Sequence, residues 1–160
     1  MKLILAAIGR QKAGPETELA LRYQDRAKKA GRTLGLAGPE IVEYSESRAR
    51  STGERKTQEA DQLLKALPAG CIIVALDEHG QNMSSESFAK LIDKHRNGGS
   101  PAMAFVLGGP DGHGQPLLDQ AHVKLALGSM TWPHQIARVL LTEQIYRAIT
   151  ILTGHPYHRI

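Results

Sequence analysis

The sequence predicts an α/β protein with a mainly parallel sheet covered by helices on both faces. Three observations carry this prediction. Short apolar runs, partly β-branched and bounded by Gly, Pro or Asp, alternate with longer amphipathic segments. Of the 160 residues, 41% are hydrophobic and 22% charged, which is ordinary for a globular chain and excludes a disordered or collagenous one. The length fits one compact domain with a sizeable core. Strands buried on both faces and separated by helices belong to crossover connections, hence to parallel pairing.

Taken in order, residues 2–8 read as a buried first strand. Met1 to Ile8 resembles a secretory leader only superficially: the apolar stretch is short, and Gly9-Arg10-Gln11-Lys12 turns polar at once. A cytoplasmic protein is expected. A helix follows over 15–30, opened by Pro15 with Glu16 and Glu18, where a missing N–H costs nothing and negative charge is favourable. The second strand is expected over 41–44 and the second helix over 51–67. Between them, residues 45–56 are the most linker-like stretch and carry Arg48, Arg50, Arg55 and Lys56. Such a run is either a solvated loop or a mobile basic arm that touches phosphates. Strand 71–76 leads to a helix over 84–96 that Ser84 or Ser85 can cap. Strand 103–107, a short helix over 116–121 and strand 123–127 complete the sheet.

The last helix spans about residues 133–153. Ile136, Val139, Leu140, Leu141, Ile145, Ala148, Ile149, Ile151 and Leu152 cover more than the ~100° arc a surface helix needs. That width points to burial on two sides, against the core and a second subunit; a wholly internal helix is the alternative. With no repeat and no composition break, residues 1–160 read as a single domain.

No apolar run approaches the ~20 residues of a membrane span. Cys71 is the only cysteine, which excludes an internal disulfide framework and any Cys-x-x-Cys motif. The net charge of +4 and a pI near 9.3 permit a polyanionic partner without requiring one.

Four segments can carry chemistry. Gly108-Gly109-Pro110-Asp111-Gly112-His113-Gly114 follows an apolar strand, where glycine lets backbone approach a ligand and where parallel sheets bind ligands. Its spacing is neither the dinucleotide fingerprint nor a P-loop, and a plain strand-exit turn has the same composition. Asp77-Glu78-His79 closes another strand, but adjacent side chains of an extended segment face opposite ways, so no metal site is expected. Leu127 to His134 joins small residues to the only tryptophan, a wall suited to a flat apolar ligand or to the core. The terminal Gly154-His155-Pro156-Tyr157-His158-Arg159 gathers donors and acceptors after a helix stop, with too few ligands for zinc.

Together these segments resemble one family. Gly-Gly-Pro-Asp-Gly after a strand, Thr131-Trp132-Pro133-His134, the run Arg138-Val139-Leu140-Leu141-Thr142-Glu143-Gln144-Ile145-Tyr146-Arg147-Ala148, and the closing His-Pro-Tyr-His-Arg are similar to the RlmH (YbeA) family of ribosomal large-subunit methyltransferases, in the SPOUT superfamily. The likeness spans the chain, strongest from Leu107 onward and weakest between about residues 12 and 67.

The resemblance implies an S-adenosylmethionine-dependent enzyme that methylates N3 of a pseudouridine in 23S rRNA, on assembled ribosomes. It implies a C-terminal trefoil knot, a rare exception to unknotted topology, and a homodimer. Carried over by position, Leu76, Gly108, Gly109, Leu127, Gly128, Ser129, Met130, Thr131 and Trp132 would bind the cofactor. Tyr157, His158 and Arg159 would shape the acceptor end: Arg159 favouring the imide anion by charge, His158 or Tyr157 relaying or accepting its proton. Trp132 and Ile160 depart from the family pattern, where a smaller apolar residue and an acid are expected. A catalytically silent RNA-binding module and a generic nucleotide-binding protein are the competing readings; cofactor binding and salt-sensitive RNA binding separate them.

Overall fold

A computed structural model describes residues 1–158. Five strands form one sheet, all neighbours parallel, in the order β2-β1-β4-β3-β5: β1 Lys2–Ile8, β2 Ala37–Tyr44, β3 Ile72–Asn82, β4 Ala102–Leu107 and β5 Val123–Ala126. The expected α/β architecture is therefore present. Strand alternation divides the core into two layers. Leu3, Leu5 and Ala7 of β1, with Met103, Phe105 and Leu107 of β4, face α1 Pro15–Gly31, α3 Ser85–Asn97 and α5 His134–Leu152. Ile4, Ala6 and Ile8, with Ala102, Ala104 and Val106, face α2 Thr52–Ala66 and α4 Gln115–Gln120. Among the described residues, no helix is long and apolar enough to cross a membrane.

Helix starts follow local chemistry. Pro15 opens α1, and the Ser84 hydroxyl caps α3 by accepting from the Ser87 N–H. Ser51 and Glu54 close a reciprocal capping box on α2.

Two strands are longer than the sequence suggests. β2 begins at Ala37 because Gly38 and Pro39, poor strand residues in isolation, are held beside β1. β3 does not end at Leu76: after an irregularity it pairs with β5 again, Gln81 opposite Leu125 and Asn82 opposite Ala126. Gly80 makes this crossing possible, since a Cβ there would lie 2.7 Å from the Lys124 carbonyl carbon.

α5 packs between α1 and α3 over the sheet. Ile145 and Ile149 are fully buried within the chain, so much of the broad apolar arc is spent on this fold's own core. Ile136, Val139 and Leu140 stay half-buried along its N-terminal half.

Candidate active site

The middle of β3, at Leu76 to His79, and the C-terminal ends of β4 and β5 open into a cleft of about 440 Å³, within the range of small-molecule sites. Its first wall is the turn after β4. Gly112 adopts φ +80° and its N–H returns to the Gly109 carbonyl at 2.9 Å. Close packing leaves the neighbouring glycines no room for a side chain. A Cβ on Gly108 would lie 2.9 Å from the Gly112 backbone, one on Gly109 2.7 Å from Glu59 Oε2, and one on Gly114 2.3 Å from the Lys56 carbonyl oxygen.

Two side chains lock this wall. His113 is buried, and its Nε2–H donates to the Leu76 carbonyl at 2.9 Å, fastening the turn to β3. Burial pushes the His113 pKa down, so the ring is held neutral. Asp111 accepts from Arg55 Nε at 2.7 Å, and this guanidinium holds the carboxyl below the usual carboxylate range.

The second wall is segment 127–132. Gly128 at φ +117° gives its N–H to Asn82 Oδ1 at 3.1 Å, Trp132 Nε1 donates to the Leu127 carbonyl at 3.0 Å, and the Thr131 hydroxyl to Glu78 at 3.0 Å. Met130 and Trp132 are nonetheless 71% and 41% exposed. Leu76, Gly108, Gly109, Leu127, Gly128, Met130, Thr131 and Trp132 all line the cleft; Ser129 does not. Three backbone segments, two of them free of Cβ atoms where they turn, with leucine and tryptophan flanks, fit a purine nucleoside bearing a sulfonium chain. The residues present therefore suit S-adenosylmethionine.

The four basic residues do not form one arm. Arg48 and Arg50 are exposed, Lys56 lines the cleft, and Arg55 is bound inward. The loop is also pinned through Ser47, whose N–H donates to Glu59 at 2.8 Å and whose hydroxyl donates to Gln58 at 2.6 Å. Of the two readings of this stretch, a solvated loop or a mobile arm, the structure has a loop, tethered through Ser47 and Arg55.

The tail folds back along α5. The Tyr157 hydroxyl donates to Glu143 at 2.9 Å, and its ring packs on Tyr146 with the Arg147 guanidinium over it. Burial, then Tyr23 and Glu143, push its phenol well above the ordinary range, so it stays protonated and cannot serve as a base. His158 Nε2 lies 3.1 Å from Glu86 Oε1. Glu143 is nine residues beyond the cleft-lining His134, about two and a half turns, so it lies on the opposite side of α5. Within one chain, Tyr157 and His158 therefore do not meet the cleft. Arg159 lies outside the described residues.

Sequence reasoning missed three contributors. His113 and Asp111 sat inside a motif chosen for its glycines. His134 lines the cleft because Arg138, buried one turn along α5, bonds Glu43 and the Gly9 carbonyl and so fixes the helix start. No local pattern signals a bond across that separation.

A family described as Predicted SPOUT methyltransferase matches residues 1–158. The chain belongs to the SPOUT methyltransferase family. Among its relatives, the ribosomal RNA large subunit methyltransferase H of Xanthobacter autotrophicus is 51% identical over 159 residues, covering 99% of each chain. The protein of that name from Rhizobium leguminosarum bv. trifolii is 49% identical over 160 residues, all of both chains. A probable methyltransferase from Bordetella pertussis superposes with a TM-score of 0.52 at 17% identity, over 92% of this chain and 95% of that one. A probable methylase family protein from Haemophilus influenzae reaches 0.51 at 12% identity, over 99% and 70%. These two likenesses speak for the fold. In this SPOUT methyltransferase the glycine turn and the 127–132 segment face each other across the cleft.

Proposed function

We propose that the chain is an S-adenosylmethionine-dependent methyltransferase of 23S rRNA, acting on N3 of a pseudouridine in the large subunit of assembled ribosomes. The observation that carries this is the glycine-walled cleft in a chain about half identical, end to end, to methyltransferases named for the large subunit. The reading treats residues 1–160 as one methyltransferase domain working in the cytoplasm without a metal, its C-terminal segment threaded as a trefoil knot. Family membership supports the knot.

When bound, the cofactor supplies a methyl group made electrophilic by its sulfonium. The chain's residues do the rest. Backbone at Gly108, Gly109 and Gly128 reads the adenine edge, while Leu76, Leu127, Met130 and Trp132 exclude water from its faces. The acceptor imide must lose a proton before it attacks. Arg159 stabilises the resulting anion, a contact that strengthens as charge develops. His158 relays the proton through Nδ1, which has no hydrogen-bond partner among the described residues, while Nε2 faces Glu86 Oε1 at 3.1 Å. Tyr157, kept protonated by burial and by its bonds to Tyr23 and Glu143, orients the tail instead of acting as base.

Because Tyr157 and His158 lie across α5 from the cleft, the tail that completes each site comes from the partner in a homodimer. The half-buried Ile136, Val139 and Leu140 supply apolar surface for that contact. Ile145 and Ile149 do not, being internal.

Methyl incorporation into ribosomes lacking the modification tests the reading. Arg159→Ala should lower the rate about 30- to 1000-fold, from ~2–4 kcal/mol of lost transition-state stabilisation, with S-adenosylmethionine affinity nearly unchanged. Wild-type protein that transfers no methyl group to such ribosomes refutes the assignment.

A further inference from the structure

We propose that the basic loop and the cofactor cleft are energetically coupled, with Arg55 and Glu59 of α2 as the positioning residues that join them. The inference rests on the methyltransferase reading, which gives the cleft its cofactor and the loop its RNA.

One guanidinium gathers three parts of the chain. Arg55 Nε donates to Asp111 in the cleft turn at 2.7 Å, Nη1 to the carbonyls of Ala49 and Arg50 at 3.2 Å each, and Nη2 to the Thr52 hydroxyl at 2.9 Å. One helical turn along the same face, buried Glu59 makes a second tie. Its Oε1 accepts from the Ser47 N–H at 2.8 Å, and its Oε2 sits against Gly109, so close that a Cβ there would be 2.7 Å away. Between them, the Lys56 carbonyl packs on Gly114. Residues 47–50, which carry the exposed Arg48 and Arg50, are thus joined to both ends of the glycine turn through one helix face.

The physical consequence is a shared ordering cost. A ligand that fixes the Gly108–Gly112 turn fixes Asp111 and Gly109, and through Arg55 and Glu59 the carbonyls and amide that set the loop. Arg48 and Arg50 then meet phosphates already ordered, so the second ligand loses less conformational entropy. Linkage makes the effect reciprocal: bound RNA tightens the cleft by the same factor.

The test uses S-adenosylhomocysteine, which occupies the cleft without reacting, and assembled ribosomes lacking the modification at fixed salt. Saturating S-adenosylhomocysteine should slow amide exchange across residues 45–51 and tighten ribosome binding at least about fivefold, the low end of ordinary coupling. Arg55→Lys keeps the charge, and so the long-range attraction to phosphate, but loses the fork. It should bring the factor within about twofold of unity and erase the added protection, as should Asp111→Ala, which removes the acceptor. Thermal melts identify a variant that fails to fold, in which case the other decides. Wild type that binds both ligands with no coupling, or variants that retain it in full, overturn the proposal alone. Wild type that binds neither ligand overturns the methyltransferase reading with it.

Discussion

The two walls of the cleft are built in opposite ways. The Gly108–Gly114 wall is fastened from behind: His113 holds the Leu76 carbonyl, Arg55 holds Asp111, and Gly114 lies directly on the Lys56 backbone. The 127–132 wall has hydrogen bonds of its own but leaves Met130 and Trp132 exposed. One wall is finished by the fold, and the other presents exposed apolar surface. Changes to the first should therefore appear as lost stability, and changes to the second as lost affinity.

The strongest way to break this contrast is Gly114→Ala. Its new methyl would meet a carbonyl oxygen at 2.3 Å, and backbone cannot yield as a flexible side chain does. A loss of about 3 kcal/mol or more is expected, read as a fall of roughly 6–12 °C in melting temperature. A fall under 2 °C would show that the wall is less rigid than its packing indicates.

Next in size is His113→Ala, which strands the buried Leu76 carbonyl and should cost about 2 kcal/mol in urea unfolding. A pH series sharpens it. Burial lowers the folded pKa below the ordinary 6.5, so the unfolded ring takes up a proton first as pH falls. The stability contributed is whole above pH 6.5 and declines below it, down to the depressed folded value. The wild type should lose stability across that window faster than the variant; parallel curves would remove His113 from the account.

The smallest stability effect is expected at Trp132→Ala, below about 1 kcal/mol for a side chain so exposed. Calorimetry should still show S-adenosylmethionine binding weakened about tenfold, equivalent to ~1.4 kcal/mol. Unchanged affinity with a large stability loss would reverse the roles of the two walls.

Much of the fold was legible because local signals and burial agree. β1 runs from Lys2 to Ile8 as its unbroken apolar run indicates, and Pro15 and Ser84 mark helix starts that the chain uses. Where pairing partners decide, local reading fails. Gly38-Pro39 is poor strand material until β1 lies beside it, and Asp77 to Gly80 reads as an exit until β5 receives it again. The cleft was legible through its glycines and tryptophan, because absent or flat side chains announce close approach. Its fastenings were not. Arg55 looks like one more surface cation until Asp111, 56 positions away, claims it, and Tyr157 looks reactive until Glu143 takes its hydroxyl.

The position of β1 in the sheet also sets a timetable for synthesis. Lys2 pairs with Ala102 and Leu5 with Phe105, so the second neighbour of this strand is translated about a hundred residues later. At roughly 5–20 residues per second, that leaves one edge of an uncharged, strand-forming hexapeptide bare for about 5–20 s. Leu3 to Ile8 contains no charge or proline to discourage pairing between nascent chains. Rapid overproduction should accordingly favour insoluble protein, and slower translation or added chaperone should recover it.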